Sequence, residues 1–173
     1  MKNVFINTIS GFMLIMLFQS CTQIMVDPAA DPASWTARTV QNEPTDSLIK
    51  GSTYLSVATR VYSQTEHTTH SLTATVSMRN VSKVDTLYVD QAEFFNTKGK
   101  SIRTYLQKPI FVAPLETLEI VIHEQDQEGG TGANFLFDWR IKPGTNEPLF
   151  EGIMISTSGQ QGLSFTTQGR RIY

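Results

Sequence analysis

The stretch Leu72-Thr-Ala-Thr-Val-Ser-Met78 places an apolar side chain at every second position: Leu72, Ala74, Val76 and Met78. Ile102, Thr104 and Leu106 repeat the pattern, and so do Leu118, Ile120 and Ile122. A period of two sends successive side chains to opposite faces of an extended chain, so each run predicts a strand with one face buried. Several such runs between His70 and Glu124 need a second layer to cover their apolar faces. That predicts two sheets closing over a common core.

Outward from this stretch, Tyr54 to Tyr62 reads as the first strand, followed by a polar loop from Ser63 to His70. Thr86 to Phe95 is a long strand whose apolar positions switch from odd (Leu87, Val89) to even (Ala92, Phe94). One buried face survives that switch only with an extra residue, so a bulge is expected near Asp90-Gln91. Asn96 to Lys100 reads as a tight hairpin with Gly99 at positive φ, returning through Ser101 to Leu106. Ile110-Phe-Val112, between Pro109 and Pro114, reads as an edge or crossover piece. Thr117 to His123, Ala133 to Ile141, Leu149 to Ser156 and Leu163 to Thr167 complete the set, with Pro143-Gly144 as a turn. Phe135, Phe137, Trp139 and Ile141 share one face and carry the heaviest apolar load. With about seven to nine short strands and no helical period, the expected fold is all-β. Its form is an antiparallel β-sandwich, immunoglobulin-like, with a small β-barrel as the alternative.

The N-terminus is Met-Lys-Asn, then a mostly apolar run from Val4 to Phe18, then Gln19-Ser20-Cys21. The run is shorter than the about 20 apolar residues that cross a bilayer, and it ends in small or polar residues, the layout of a secretory signal. Leu17-Phe-Gln-Ser-Cys21 resembles the lipobox of bacterial lipoproteins. In those proteins the chain is cut before the cysteine, which is then acylated. Ser20 and Cys21 fit the pattern; Phe18 and Gln19 depart from its commonest form. The resemblance implies a signal peptide at 1–20, a lipid on Cys21 and permanent attachment to a membrane. Thr22 is not the aspartate that resembles an inner-membrane retention signal, so an outer membrane is expected where the cell has two. From Cys21 to about residue 50 the chain has three prolines and no period, and reads as a flexible tether with a span of roughly 30 Å. Trp35 is its only aromatic side chain.

The remaining 51–173 segment is one domain, large enough to bury a core. Net charge is −2, or −3 without Lys2, which gives no attraction to nucleic acid. Cys21 is the only cysteine, so the body holds no disulfide and no thiolate metal site.

Three segments of the body carry a wider resemblance: Leu72-Thr-Ala-Thr-Val-Ser-Met-Arg-Asn80, Gly129-Gly-Thr-Gly-Ala-Asn-Phe135, and Gly159-Gln-Gln-Gly-Leu-Ser-Phe165 with Gly169-Arg170. Together they resemble the domain of unknown function 3124 family, small exported bacterial proteins. The resemblance implies a compartment and domain boundaries, and no activity.

Candidate chemistry gathers on two glycine loops. Glu124 to Gly132 sets three carboxylates before glycines, a composition that supplies oxygens to Ca²⁺. It lacks the spaced acidic ladder of an EF-hand, and the simpler reading is a solvated turn. Gly159-Gln-Gln-Gly162 offers two amides to a sugar or peptide. Asp126, Glu128, Gly130, Asn134, Gln160, Gln161 and Arg170 are therefore the candidate ligand-binding residues. His67, His70 and His123 would make a zinc site only if the fold brought them together. Three-residue spacing shares a side on a helix, not on an extended loop. Tyr88, Tyr105 and Arg103 are expected on the polar faces of neighbouring strands, as a cross-strand cover.

No nucleophile elbow is present, and no catalytic residue, metal or cofactor is expected. The sequence points to a lipid-anchored, non-catalytic binding module of the bacterial envelope. Its expected partners are the membrane, through Cys21, and an envelope protein or small ligand. A small envelope hydrolase and a structural subunit of an envelope complex are the alternatives.

Overall fold

The computed structural model describes residues 33–42, 44, 47–157 and 162–173. The leader, Cys21, Gln160 and Gln161 lie outside the described residues. Among the described residues a helical turn, α1 (Ala33–Thr36), precedes twelve strands. They are β1 (Ile49–Val57), β2 (Arg60–Tyr62), β3 (Thr69–Ser71), β4 (Thr73–Arg79), β5 (Leu87–Phe95) and β6 (Ser101–Thr104). After these come β7 (Ile110–Val112), β8 (Thr117–Ile122), β9 (Ala133–Ile141), β10 (Leu149–Ser156), β11 (Leu163–Gln168) and β12 (Arg170–Arg171).

Two antiparallel sheets face each other. One has the order β12-β1-β9-β5-β6, with β7 also on β5; the other has the order β11-β10-β4-β8. β2 and β3 form a separate ribbon. This is the expected sandwich, and among the described residues neither sheet closes into a barrel. The strands beyond the expected count are short. β2 separates from β1 because Thr59 turns inward and is fully buried. Its N–H donates to Gly130 O at 3.0 Å, and its own carbonyl accepts from Leu72 N–H at 2.9 Å. β3 begins within the last two residues of the stretch expected as loop and pairs with β2 through Val61 and His70. The last strand, β12, follows β11 directly, so the chain crosses from one sheet to the other at Gly169, whose N–H donates to Phe150 O at 2.8 Å.

The long β5 carries its expected defect. Its register against β9 shifts between Val89 and Gln91, leaving Asp90 as the extra residue. Leu87 and Val89 before the shift and Ala92 and Phe94 after it are all buried. The displaced Asp90 carboxylate accepts from Arg140 Nε at 2.8 and 2.9 Å. Gly99 closes the β5–β6 hairpin at φ 72°.

β9 alternates buried and half-buried along its whole length, and its inward residues form the centre of the core. Phe135 stacks on Phe94 at 4.8 Å and on Phe137 at 5.4 Å, and Phe137 meets Phe150 of the opposite sheet at 4.4 Å. The row continues through Tyr105, 5.6 Å from Phe135, to Trp35, 6.4 Å further. Trp35 is thus part of the core, at 9% exposure. The chain around it is seated on the body too. Phe111 N–H donates to Arg38 O at 3.0 Å and Val40 N–H to Pro109 O at 2.9 Å, so residues 38–40 cover the outer edge of β7. Part of the stretch read as tether is therefore seated on the body, with the Trp35 indole against the Tyr105 ring and residues 38–40 on β7.

Candidate functional site

The glycine loop that carries the candidates Asp126, Glu128 and Gly130 is tied to the body by its own hydrogen bonds. Gly130 sits at φ 80°, which favours glycine. Its N–H donates to Thr59 Oγ1 at 3.0 Å, and its carbonyl takes the Thr59 N–H. Thr97 binds the same loop: its hydroxyl donates to Gly129 O at 3.1 Å and accepts from Gly132 N–H at 3.0 Å. The acidic half is also engaged. Arg103 Nη2 donates to Asp126 at 2.8 Å and to Glu128 at 3.3 Å, and Arg103 Nη1 donates to the Tyr105 hydroxyl at 3.0 Å. Burial opposes the Arg103 charge, but the bonds to Asp126 and Tyr105 outweigh it and hold the guanidinium firmly protonated. The same burial pushes the Tyr105 phenol above its ordinary value, against the pull of Arg103.

Among the described residues, Asn134 and Arg170 are placed apart from each other in the larger sheet. Asn134 lies across from Ser56 and Phe95 in the larger sheet, and Arg170 across from Tyr54 on the far side of β1. Gln160 and Gln161 lie outside the described residues. His67 stands beside Glu66 at 3.5 Å, His70 pairs in the small ribbon, and His123 follows β8. Among the described residues no three His, Cys, Asp or Glu side chains are grouped as a metal would require. Tyr88 and Tyr105 also do not share a face. Tyr88 lies under Arg140 at 5.7 Å, whereas Tyr105 turns toward Phe135 and Trp35. Arg103 stands opposite the inward Phe94, just before a register shift, and so points to the open side of the sandwich.

That open side holds a cleft of about 520 Å³. One wall is β8, through Glu119, Ile120 and Val121; the other is the docked N-terminal segment, through Thr36, Thr39 and Gln41. Trp35, Leu106 and Ile110 line it between them, with Lys108 also on it. An ion pair stands at each end of β8. Beyond its far end Arg103 holds Asp126; before its start Arg38 Nη2 meets Glu116 at 2.6 Å. Glu116 also accepts from Ala113 N–H at 2.8 Å. Sequence reasoning placed β8 as a strand and noted Trp35, but alternation alone does not say which strand ends a sheet.

Burial alone would raise the Glu116 pKa, yet the Arg38 hydrogen bond, the Ala113 N–H and the Arg38 charge lower it overall from 4.5. A carboxylate with a lowered folded value stabilises the fold above its unfolded value, and that contribution is lost as pH falls through the folded one. Glu116→Gln should therefore remove part of the acid-side loss of stability below about pH 4.5. Urea unfolding at about pH 7 and about pH 3 reads this: the variant's difference between the two should be the smaller. An unchanged difference would place the acid sensitivity elsewhere.

The fold is an antiparallel sandwich that carries an apolar cleft at its open edge. The chain belongs to the family described as protein of unknown function (DUF3124), whose model matches residues 50–172. No curated protein matches it. The crystal structure of Thermotoga maritima 1070 is similar at a TM-score of 0.43 and 7% identity, over 69% of this chain and 92% of that one. A likeness of that size says nothing further about this chain.

Proposed function

We propose that this protein is a non-catalytic binding module, anchored by lipid on Cys21 at the outer side of a bacterial membrane, that takes a protein or envelope ligand in its edge cleft. The observation that carries the reading is the cleft: about 520 Å³, apolar between its walls, and open to solvent beside a rigid core. Ligand recesses of this size and lining are the usual binding sites of such scaffolds. The nearby carboxylates have structural partners. Glu116 is held by Arg38, Asp126 by Arg103, and Glu119 accepts from Ser77 Oγ at 3.1 Å. That favours binding over acid–base chemistry. The resemblance of Leu17–Cys21 to a lipobox supports the anchor.

Native mass spectrometry of the full chain, taken from its own membranes in mild detergent, tests this. A mass beginning at Cys21 with acyl chains, plus a bound ligand or partner, is the expected result. A mass beginning elsewhere without lipid would overturn the localisation. A bare lipoprotein that also binds no peptide or amphiphile in solution would overturn the binding role.

A further inference from the structure

We infer that the cleft takes an extended peptide, which adds as a strand to the outer edge of β8, sets alternate apolar side chains into the cleft and places a basic residue beside Glu119. This rests on the binding-module reading and gives its ligand a class.

The phase of the β4–β8 ladder decides the matter. Asn80 N–H donates to Glu116 O at 3.0 Å, in the same register that pairs Arg79 with Thr117. Antiparallel residues alternate between pairs that exchange hydrogen bonds and pairs that do not. Counting from Asn80–Glu116, the bonded residues of β8 are Leu118, Ile120 and Ile122, facing Met78, Val76 and Ala74. Thr117, Glu119 and Val121 therefore turn their N–H and C=O groups away from the sheet. β8 is the last strand of its sheet, and no described backbone group pairs with that edge. The result is three donors and three acceptors, repeating every second residue over about 14 Å. Such a row matches the alternating groups of an extended polypeptide backbone.

Edges of this kind are normally blunted by lysine, proline or a bulge. β8 reads Thr-Leu-Glu-Ile-Val-Ile, has no lysine, proline or bulge and a single charge in Glu119, and leaves Val121 49% exposed. The protein does cover the comparable edge of β7, with residues 38–40, and the cleft lies between that cover and β8. A backbone laid along β8 sends one set of side chains toward Ile120, Leu106 and Trp35, and the other set outward beside Glu119 and Val121. Opposite charges directly across a strand pair are favourable, so the outward position next to Glu119 suits Lys or Arg. Lys108 at the cleft disfavours a second cation there.

Panning the full-length chain in mild detergent against displayed random 12-residue peptides tests this, with binding of the recovered peptides then measured in solution. Expected sequences alternate apolar residues and carry a basic residue at one fixed outward position. Val121→Pro removes an outward N–H that the β4 ladder does not use, and should weaken the peptides at least tenfold while the variant still melts cooperatively. Independently of that variant, N-methylation of the peptide should abolish binding at every second residue and leave it intact at the others. Glu119→Lys should select acidic peptides instead. Peptides indifferent to both N-methylation and Val121→Pro would overturn strand addition. Recovery of no peptide, with dodecanoate binding in the cleft, would overturn the peptide but leave the binding-module reading. Binding of neither would overturn both.

Discussion

Phe137→Ala should lower the unfolding free energy by about 3–5 kcal/mol, the range for removing a buried aromatic side chain from a core. Phe137 is fully buried on β9, with Phe135 at 5.4 Å beside it and Phe150 of the opposite sheet at 4.4 Å. Its ring is therefore both core volume and a direct link between the two layers. The truncation removes the transfer free energy of the ring and leaves a cavity that two rigid sheets close only in part. Urea unfolding reads the loss as a lower midpoint with an unchanged slope. On a body of this size the melting temperature should fall by roughly 10–20 °C. Phe137→Leu keeps most of the volume and should lose much less. A loss below about 1 kcal/mol for the alanine variant would mean that the sheets are not held through these rings.

Gly51→Ala, a single added methyl group, is expected to cost about 3 kcal/mol, at the upper end for overpacking. Gly51 faces Trp139 across the β1–β9 pair, and a Cβ at position 51 would fall within the indole. Trp139 has nowhere to go. It is buried, its Nε1–H donates to Thr53 Oγ1 at 2.9 Å, and the Arg171 guanidinium lies 5.2 Å from its ring. The near-ultraviolet circular dichroism of the variant should change along with its stability, because the indole must tilt or the strand must shift. Combining Gly51→Ala with Trp139→Phe should cost less than the sum of the two single changes, since the smaller ring makes room for the methyl. Strict additivity would show that the two positions do not meet.

The strands were legible because their signal is local. β9 and β10 match their expected bounds, and the bulge at Asp90 follows from a parity switch that any reader of Leu87 to Phe94 can count. The candidate site was less legible. Asp126, Glu128 and Gly130 stand out in sequence as a loop rich in ligand-type residues. Whether they face solvent or Arg103 and Thr59 depends on chains 23 and 71 residues away. Conversely, Thr117, Glu119 and Val121 look like the polar side of an ordinary strand. Their backbone groups become notable only because β8 has a neighbour on one side.

By itself the sequence determined the period of two, the heavy face of β9, the hairpin at Gly99 and hence a two-layer antiparallel sandwich. Those follow from where each side chain points relative to its neighbours, which the backbone fixes residue by residue. Only the tertiary structure decided that Trp35 completes the row of rings, that Arg103 holds the acidic loop, and that β8 ends its sheet beside an apolar cleft. Each of these depends on which strands lie next to each other. That order is set by packing across the whole core, where residues a hundred positions apart, such as Trp35 and Phe135, line up on either side of Tyr105.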